Sequence, residues 1–153
     1  MTKSNEIEIV ALSIDTLPFI YDFVKELAQY ERAPDAVTTT LTEYELAFAD
    51  GLIDGHLAKL GSSFVGGTLF YMTFSTWKGK CMYLEDFYIK PDFRQYGIGQ
   101  MLFDAYVRRS RECGAKMLKW QVLDWNMPAL KFYAKNNAII ETEWWNGKIL
   151  FND

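Results

Sequence analysis

Histidine occurs once in the 153 residues, at His56, and cysteine twice, at Cys81 and Cys113. A lone histidine argues against a histidine-based metal site, and two cysteines without ligand spacing make no disulfide scaffold. No metal is therefore expected, and both thiols read as buried and free. Nor does any apolar run approach the roughly 20 residues that a spanning helix needs. The N-terminal MTKSNEIEIV lacks the apolar stretch of a secretion signal. These absences predict a cytoplasmic protein without membrane contact. Positive charge is in short supply as well, with 16 Lys and Arg against 20 Asp and Glu and a formal net charge of −4. Nucleic acid is excluded as a partner, because neutralising phosphates takes clustered cations. The acidic balance suits a cationic substrate, and equally suits plain solubility.

What is abundant is apolar surface: hydrophobic residues make up 50% of the chain and aromatic residues 16%. Rings in that number build either a heavy core or a lined pocket. The length suits one domain, residues 1–153. Along the chain, IEIVAL (7–12) reads as a strand. Asp15 or Thr16 with Pro18 opens a helix that ends near Tyr30. ERAPDAVTTT is a loop, and Thr42 with Glu45 forms a capping box for a short helix to about Ala49. HLAKLG, SSFVGGTLFYMTF and KCMYLEDFYI follow as an antiparallel meander. A helix covers 98 to about 113, closed by Gly114. MLKWQVL (117–123) is a strand, 128–136 a helix, and AIIETEWWNGKILF a hairpin around Asn146-Gly147. The fold class is α/β or α+β, a central mixed sheet flanked by helices on both faces.

One stretch, YLEDFYIKPDFRQYGIGQMLF (83–103), carries unusual features. Strict alternation puts Glu85 with Tyr83 and Phe87 on one face of the strand and Asp86 with Leu84 and Tyr88 on the other. A carboxylate in a covered strand must be paired, protonated or turned to a polar cleft, or else the strand frays or bulges and both acids reach solvent. RQYGIG then opens a helix. A helix start offers unpaired N–H groups and partial positive charge, a seat for a pyrophosphate, and Gly97 and Gly99 allow close approach. The plainer reading is a glycine turn before a helix.

Together these features resemble the GNAT superfamily of acyl-CoA-dependent N-acetyltransferases, whose signature is a strand followed by Q/RxxGxG/A and a helix. FVKELAQYE, STWKGK, YLEDFYI and LDWNMPALKFY are most similar to the diamine branch, the spermidine/spermine and thialysine acetyltransferases. The resemblance implies acetyl-CoA as co-substrate. Phe87, Tyr88 and Ile89 would offer main-chain hydrogen bonds to pantetheine. Arg94, Gln95, Tyr96, Gly97, Ile98, Gly99 and Gln100 would cradle the pyrophosphate, with Asn126, Ala129 and Phe132 along the far side of the cofactor. Core packing or helix capping would serve for those three as well.

By the same resemblance Glu85 matches the base that takes the amine's proton, directly or through water, and Tyr133 matches the acid that protonates the leaving thiolate in a ternary complex. An alkylamine near pKa 10.4 arrives protonated, so a base is required. Moving a proton from a tyrosine near 10 to a thiolate near 8.5 is uphill by roughly 2 kcal/mol, a deficit that one hydrogen bond removes. Tyr30, Glu31, Trp77 and Asp86 would line the amine site, acids and aromatic faces being what a diammonium chain needs. A solvated helix end for Glu31 and a loop anchor for Trp77 are the plainer roles.

Two positions depart from the family pattern. Ser75 stands where polyamine-acetylating relatives carry an acid, and Lys78 sits in the same loop. Both favour a short diamine or a lysine-like substrate over a long polyamine. Asn136-Asn137 replaces the glycine that often ends the last helix, and Asn tolerates the left-handed turn. The competing functions are a non-catalytic acyl-CoA-binding module and a protein or peptide N-acetyltransferase. Members of the branch usually form homodimers, and EWWNGKILF is apolar enough for such a contact.

Overall fold

The computed structural model describes residues 6–151. Two units are distinguished, one running to Gln121 and the other from Val122. The first holds a five-stranded sheet in the order β1 (Ile7–Ala11), β2 (Asp54–Leu60), β3 (Ser63–Ser75), β4 (Gly79–Ile89), β5 (Met117–Trp120). The first four strands pair antiparallel and β4 pairs β5 in parallel, so the mixed sheet is as expected.

Helix α1 (Leu17–Tyr30) starts at Thr16 with Pro18 in its first turn, and buries Leu17, Ile20 and Phe23. These residues meet Leu12, Leu57, Leu69 and Tyr88 in one core layer. Close approach is possible because β3 carries glycine here: a Cβ on Gly67 would lie 2.7 Å from Ile20 Cδ1. Each fully buried aliphatic or aromatic side chain in this layer contributes on the order of 2 kcal/mol. Helix α2 (Leu41–Ala49) has its cap two residues earlier than expected. Thr40, not Thr42, forms the box with Glu43, through Glu43 N to Thr40 Oγ1 at 3.2 Å and Thr40 N to Glu43 Oε2 at 2.6 Å. Starting there sets Leu41, Tyr44 and Phe48 against the α1 layer.

Helix α3 (Ile98–Glu112) covers the opposite face, where Ile98 and Leu102 pack with Ile7, Ala58 and Val65. The buried Tyr106 hydroxyl donates to Met82 O at 2.6 Å, tying α3 to β4. Of the two thiols, Cys81 is buried as expected and Cys113 is only partly so.

The second unit contains α4 (Met127–Lys135), capped by Asn126. Asn137 takes the left-handed φ of 63°, in keeping with the tolerance expected of asparagine. The terminal hairpin is not formed: residues 138–151 hold neither helix nor strand, and Trp145 is 93% exposed. A two-stranded ribbon by itself is marginal in water. Among the described residues no helix is long and apolar enough to cross a membrane.

Candidate active site

The β3–β4 ladder contains one irregularity, and it falls on the acid pair. Leu69 lies opposite Asp86, but Phe70 lies opposite Leu84, so Glu85 is an extra residue without a partner on β3. Such a bulge puts two consecutive side chains on one side of the sheet. Leu69 belongs to the α1 layer, and Tyr71, two residues on, shares its face. Asp86 opposite Leu69 and Tyr83 opposite Tyr71 are therefore on that face as well, and Glu85, two residues from Tyr83, joins them. Strict alternation separates Glu85 from Asp86, and the two can serve one site only if the strand bulges there. It does, and both carboxylates turn toward α1 and α2.

Their surroundings differ. Asp86 is only partly accessible, and burial, followed by the charges of Glu85 and Glu31, pushes its carboxyl up to about 7. Glu31 caps the C-terminal end of α1, and burial raises its carboxyl too. Glu85 is exposed and accepts a hydrogen bond from the Tyr71 hydroxyl at 2.8 Å. The Tyr71 and Tyr83 rings stack across the strands, centroids 5.4 Å apart. Tyr44, edge-on to Tyr21 at 5.1 Å, completes the wall from α2. Burial and then the charge of Asp86 push its phenol up to about 12, so it is a hydrogen-bond donor at any working pH. The face thus gathers three carboxylates and several rings, a setting that stabilises a cation.

The parallel β4–β5 ladder runs only from Cys81 opposite Met117 to Leu84 opposite Trp120. The bulge begins at the next residue, and β5 ends at Trp120 instead of reaching 123. Beyond that point β4 continues to Ile89, presenting an edge to which an extended ligand can add. Phe87 and Ile89 pack toward α3, and Tyr88 toward α1. After one 3-10 turn (Pro91–Phe93) the chain reaches Gly97, which caps α3 with φ 79°. A Cβ built on Gly97 meets nothing within 4 Å, so the backbone there is open to a ligand. Met101 N donates to Gly97 O at 3.1 Å, and α3 has no acid in its first turn to compete with an anion.

Arg94 also serves the protein itself. Its Nε donates to Ile89 O at 3.0 Å, and its guanidinium lies 5.2 Å from the Tyr30 ring and 5.7 Å from Tyr88. Arg94 thereby joins the glycine turn to the end of α1. Gln95, at φ 75°, shares the left-handed geometry of that turn.

In the second unit, Asn126 Oδ1 accepts from Ala129 N at 3.3 Å, so Asn126 has a capping role of its own. Tyr133 is buried at 6% exposure and sits edge-on to Phe132, centroids 5.7 Å apart.

Among the expected substrate residues, Glu31 and Asp86 come together and Tyr30 adjoins Arg94. Trp77 does not join them within the chain. It stands 82% exposed at the tip of the β3–β4 hairpin, six residues along β4 from Glu85 if counted from Gly79, or roughly 20 Å at strand rise. Ser75 accepts from Trp77 N and Lys78 N at 3.3 and 3.1 Å and shapes that tip. Sequence reasoning missed Tyr44 and Tyr71. Only the cross-strand register and the helix phase single them out among many aromatics.

Known proteins resemble the chain in sequence and in fold. The acetyltransferase (GNAT) family matches residues 17–138. A thialysine N-epsilon-acetyltransferase of Caenorhabditis elegans is 32% identical over 126 residues, covering 82% of this chain and 79% of its own. A spermidine/spermine N(1)-acetyltransferase-like protein of Homo sapiens is 28% identical over 80% of this chain and 19% of its own. In fold, an aminoglycoside acetyltransferase from an uncultured soil metagenomic sample superposes with a TM-score of 0.82 at 17% identity, covering 97% and 98% of the two chains.

Proposed function

The chain belongs to the GNAT acetyltransferase family, and on that premise we propose that it acetylates a primary amine of a small cationic substrate, a lysine-like amino acid or a short diamine, using acetyl-CoA. The observation that carries this reading is the bulge at Glu85, which sets one exposed and one partly buried carboxylate side by side on the face that Glu31 also reaches. Polyamines stay within the substrate class, but Ser75 in place of an acid and Lys78 beside it disfavour long ones.

Acetyl-CoA supplies the acyl group as an activated thioester. The β4 edge beyond Leu84, from Glu85 through Phe87, Tyr88 and Ile89, fits an extended pantetheine. The turn from Arg94 to Gln100 fits its pyrophosphate, since Gly97 leaves the backbone open at a helix start. Asn126, Ala129 and Phe132 are assigned to the cofactor's other side by family resemblance.

Asp86 and Glu31 hold the substrate's cationic groups. An ammonium beside Asp86 offsets the repulsion from its neighbours and favours its ionised form. Glu85 takes the proton from the reacting nitrogen, directly or through one water, which frees the lone pair for attack in a ternary complex. Tyr133 donates a proton to the departing thiolate. The roughly 2 kcal/mol mismatch between an ordinary phenol and a thiol is within reach of a hydrogen bond that strengthens as charge grows on sulfur. The match over 17–138 supports a single catalytic domain. The exposed Ile139, Trp144, Trp145 and Phe151 support a homodimer contact through the C-terminal segment.

The test is thioester cleavage against a panel of lysine analogues, short diamines, polyamines and peptides, run with wild type, Tyr133→Phe and Glu85→Gln. Tyr133→Phe should lower turnover about 100-fold or more with CoA affinity little changed. Unchanged turnover would remove Tyr133 from the chemistry, and cleavage with peptides alone would overturn the small-amine reading.

A further inference from the structure

Glu85 sits at the one position of β4 that has no partner on β3. Its side chain is exposed and has other acids beside it, so something must orient a base that has to meet a proton in a defined direction. The neighbours that face it are Tyr83 and Asp86 on β4, Tyr71 on β3 and Tyr44 on α2, with Glu31 behind Asp86. Tyr71 donates to Glu85 Oε2 at 2.8 Å. We propose that Tyr71 is a positioning residue for Glu85, fixing one carboxylate oxygen so that the other, Oε1, is the one presented to the amine.

This inference rests on the reading of Glu85 as the base. Three features of Tyr71 suit it to the task. Its place on β3 opposite Tyr83 fixes the ring, because the two phenols stack at 5.4 Å with planes 29° apart. Burial, and then the hydrogen bond to Glu85, raise the phenol's pKa, so the hydroxyl stays a donor at any working pH. The hydrogen bond goes to one oxygen, Oε2, at 2.8 Å, and so restrains the direction in which the carboxylate points. The bulge takes away Glu85's cross-strand backbone partner, and Tyr71 anchors the side chain in its place.

The test is a double-mutant cycle of Tyr71→Phe and Glu85→Gln. It follows kcat and kcat/KM for the best amine from about pH 5.5 to about pH 9, with the CoA Kd and the Tm of each variant. Phe keeps the stacked ring, so Tm and CoA affinity should hold. Tyr71→Phe should lower kcat about tenfold with the KM for the amine little changed, as for a lost hydrogen bond to a charged group that acts in the chemical step. In the Glu85→Gln background it should have no further effect. Tyr71→His, which keeps an aromatic N–H donor, should recover part of the rate, and it carries the cycle if the Phe chain melts early. Wild-type turnover in Tyr71→Phe would overturn the inference. So would an equal fall in both backgrounds, because that is the signature of packing. Wild-type turnover in Glu85→Gln would instead refute the reading of Glu85 on which the proposal rests.

Discussion

Replacing Asp86 with Asn should make the free protein more stable at alkaline pH while impairing the site. Burial and the charges of Glu85 and Glu31 raise this carboxyl from an ordinary 3.8 to about 7. Between those values the folded chain keeps the proton and the unfolded chain has lost it, so the folded state binds more protons and stability must fall as pH rises. Two to three pH units at about 1.4 kcal/mol each, tapering as Asp86 ionises near 7, give a loss of about 3 kcal/mol between pH 5 and pH 8. For a domain of this size that equals a fall in Tm of roughly 6–12 °C. Asn cannot ionise, so this component should vanish in Asp86→Asn. Urea denaturation of both chains at pH 5, 6, 7 and 8 reads the difference directly. The curves should converge toward acid and separate toward alkali, with wild type the less stable. A saturating diamine at pH 8 should stabilise wild type more than the variant. Curves that run parallel across the range would refute the idea that acid crowding and burial hold Asp86 protonated.

The same titration predicts that KM for the amine falls as pH rises through about 7, because a neutral Asp86 cannot pair with an ammonium; a KM flat from pH 6 to pH 8 would exclude Asp86 from binding. Gly97→Ala forces a side chain into φ 79°, a cost of about 1–2 kcal/mol. Calorimetric titration should show CoA binding about tenfold weaker, and an unchanged Kd would place the cofactor elsewhere. Thr40→Ala removes the α2 cap and should cost about 1 kcal/mol in urea denaturation, whereas Thr42→Ala should cost a few tenths; the reverse order would mean that the helix starts at the later threonine.

Most of the fold was legible because its signals are local. Alternation marked β2, β3 and β4, Asp15 or Thr16 with Pro18 marked the start of α1, where Thr16 is the cap, and Gly97 and Gly114 bounded α3. What was misread depends on partners distant in sequence. TLTEYE contains two capping boxes, and only packing of Leu41, Tyr44 and Phe48 on α1 selects the first. Gln121–Leu123 has strand character, but the ladder with β4 ends at Trp120, beside the bulge. Asn146-Gly147 is a sound turn signal, but its flanks take no strand conformation. In the site, YLED and RxxGxG mark the chemistry, while the common face of Glu85 and Asp86 follows from a register with β3 that no single-strand pattern contains.

That register makes function a matter of parity. From Leu69 to Phe70 is one step on β3, and from Asp86 to Leu84 is two on its neighbour. Excising Leu84 would make the two counts equal, set Glu85 opposite Phe70 and turn its side chain through the sheet toward the α3 layer. The composition would be almost untouched and every catalytic residue type could remain, yet the acids would be on opposite sides of a wall.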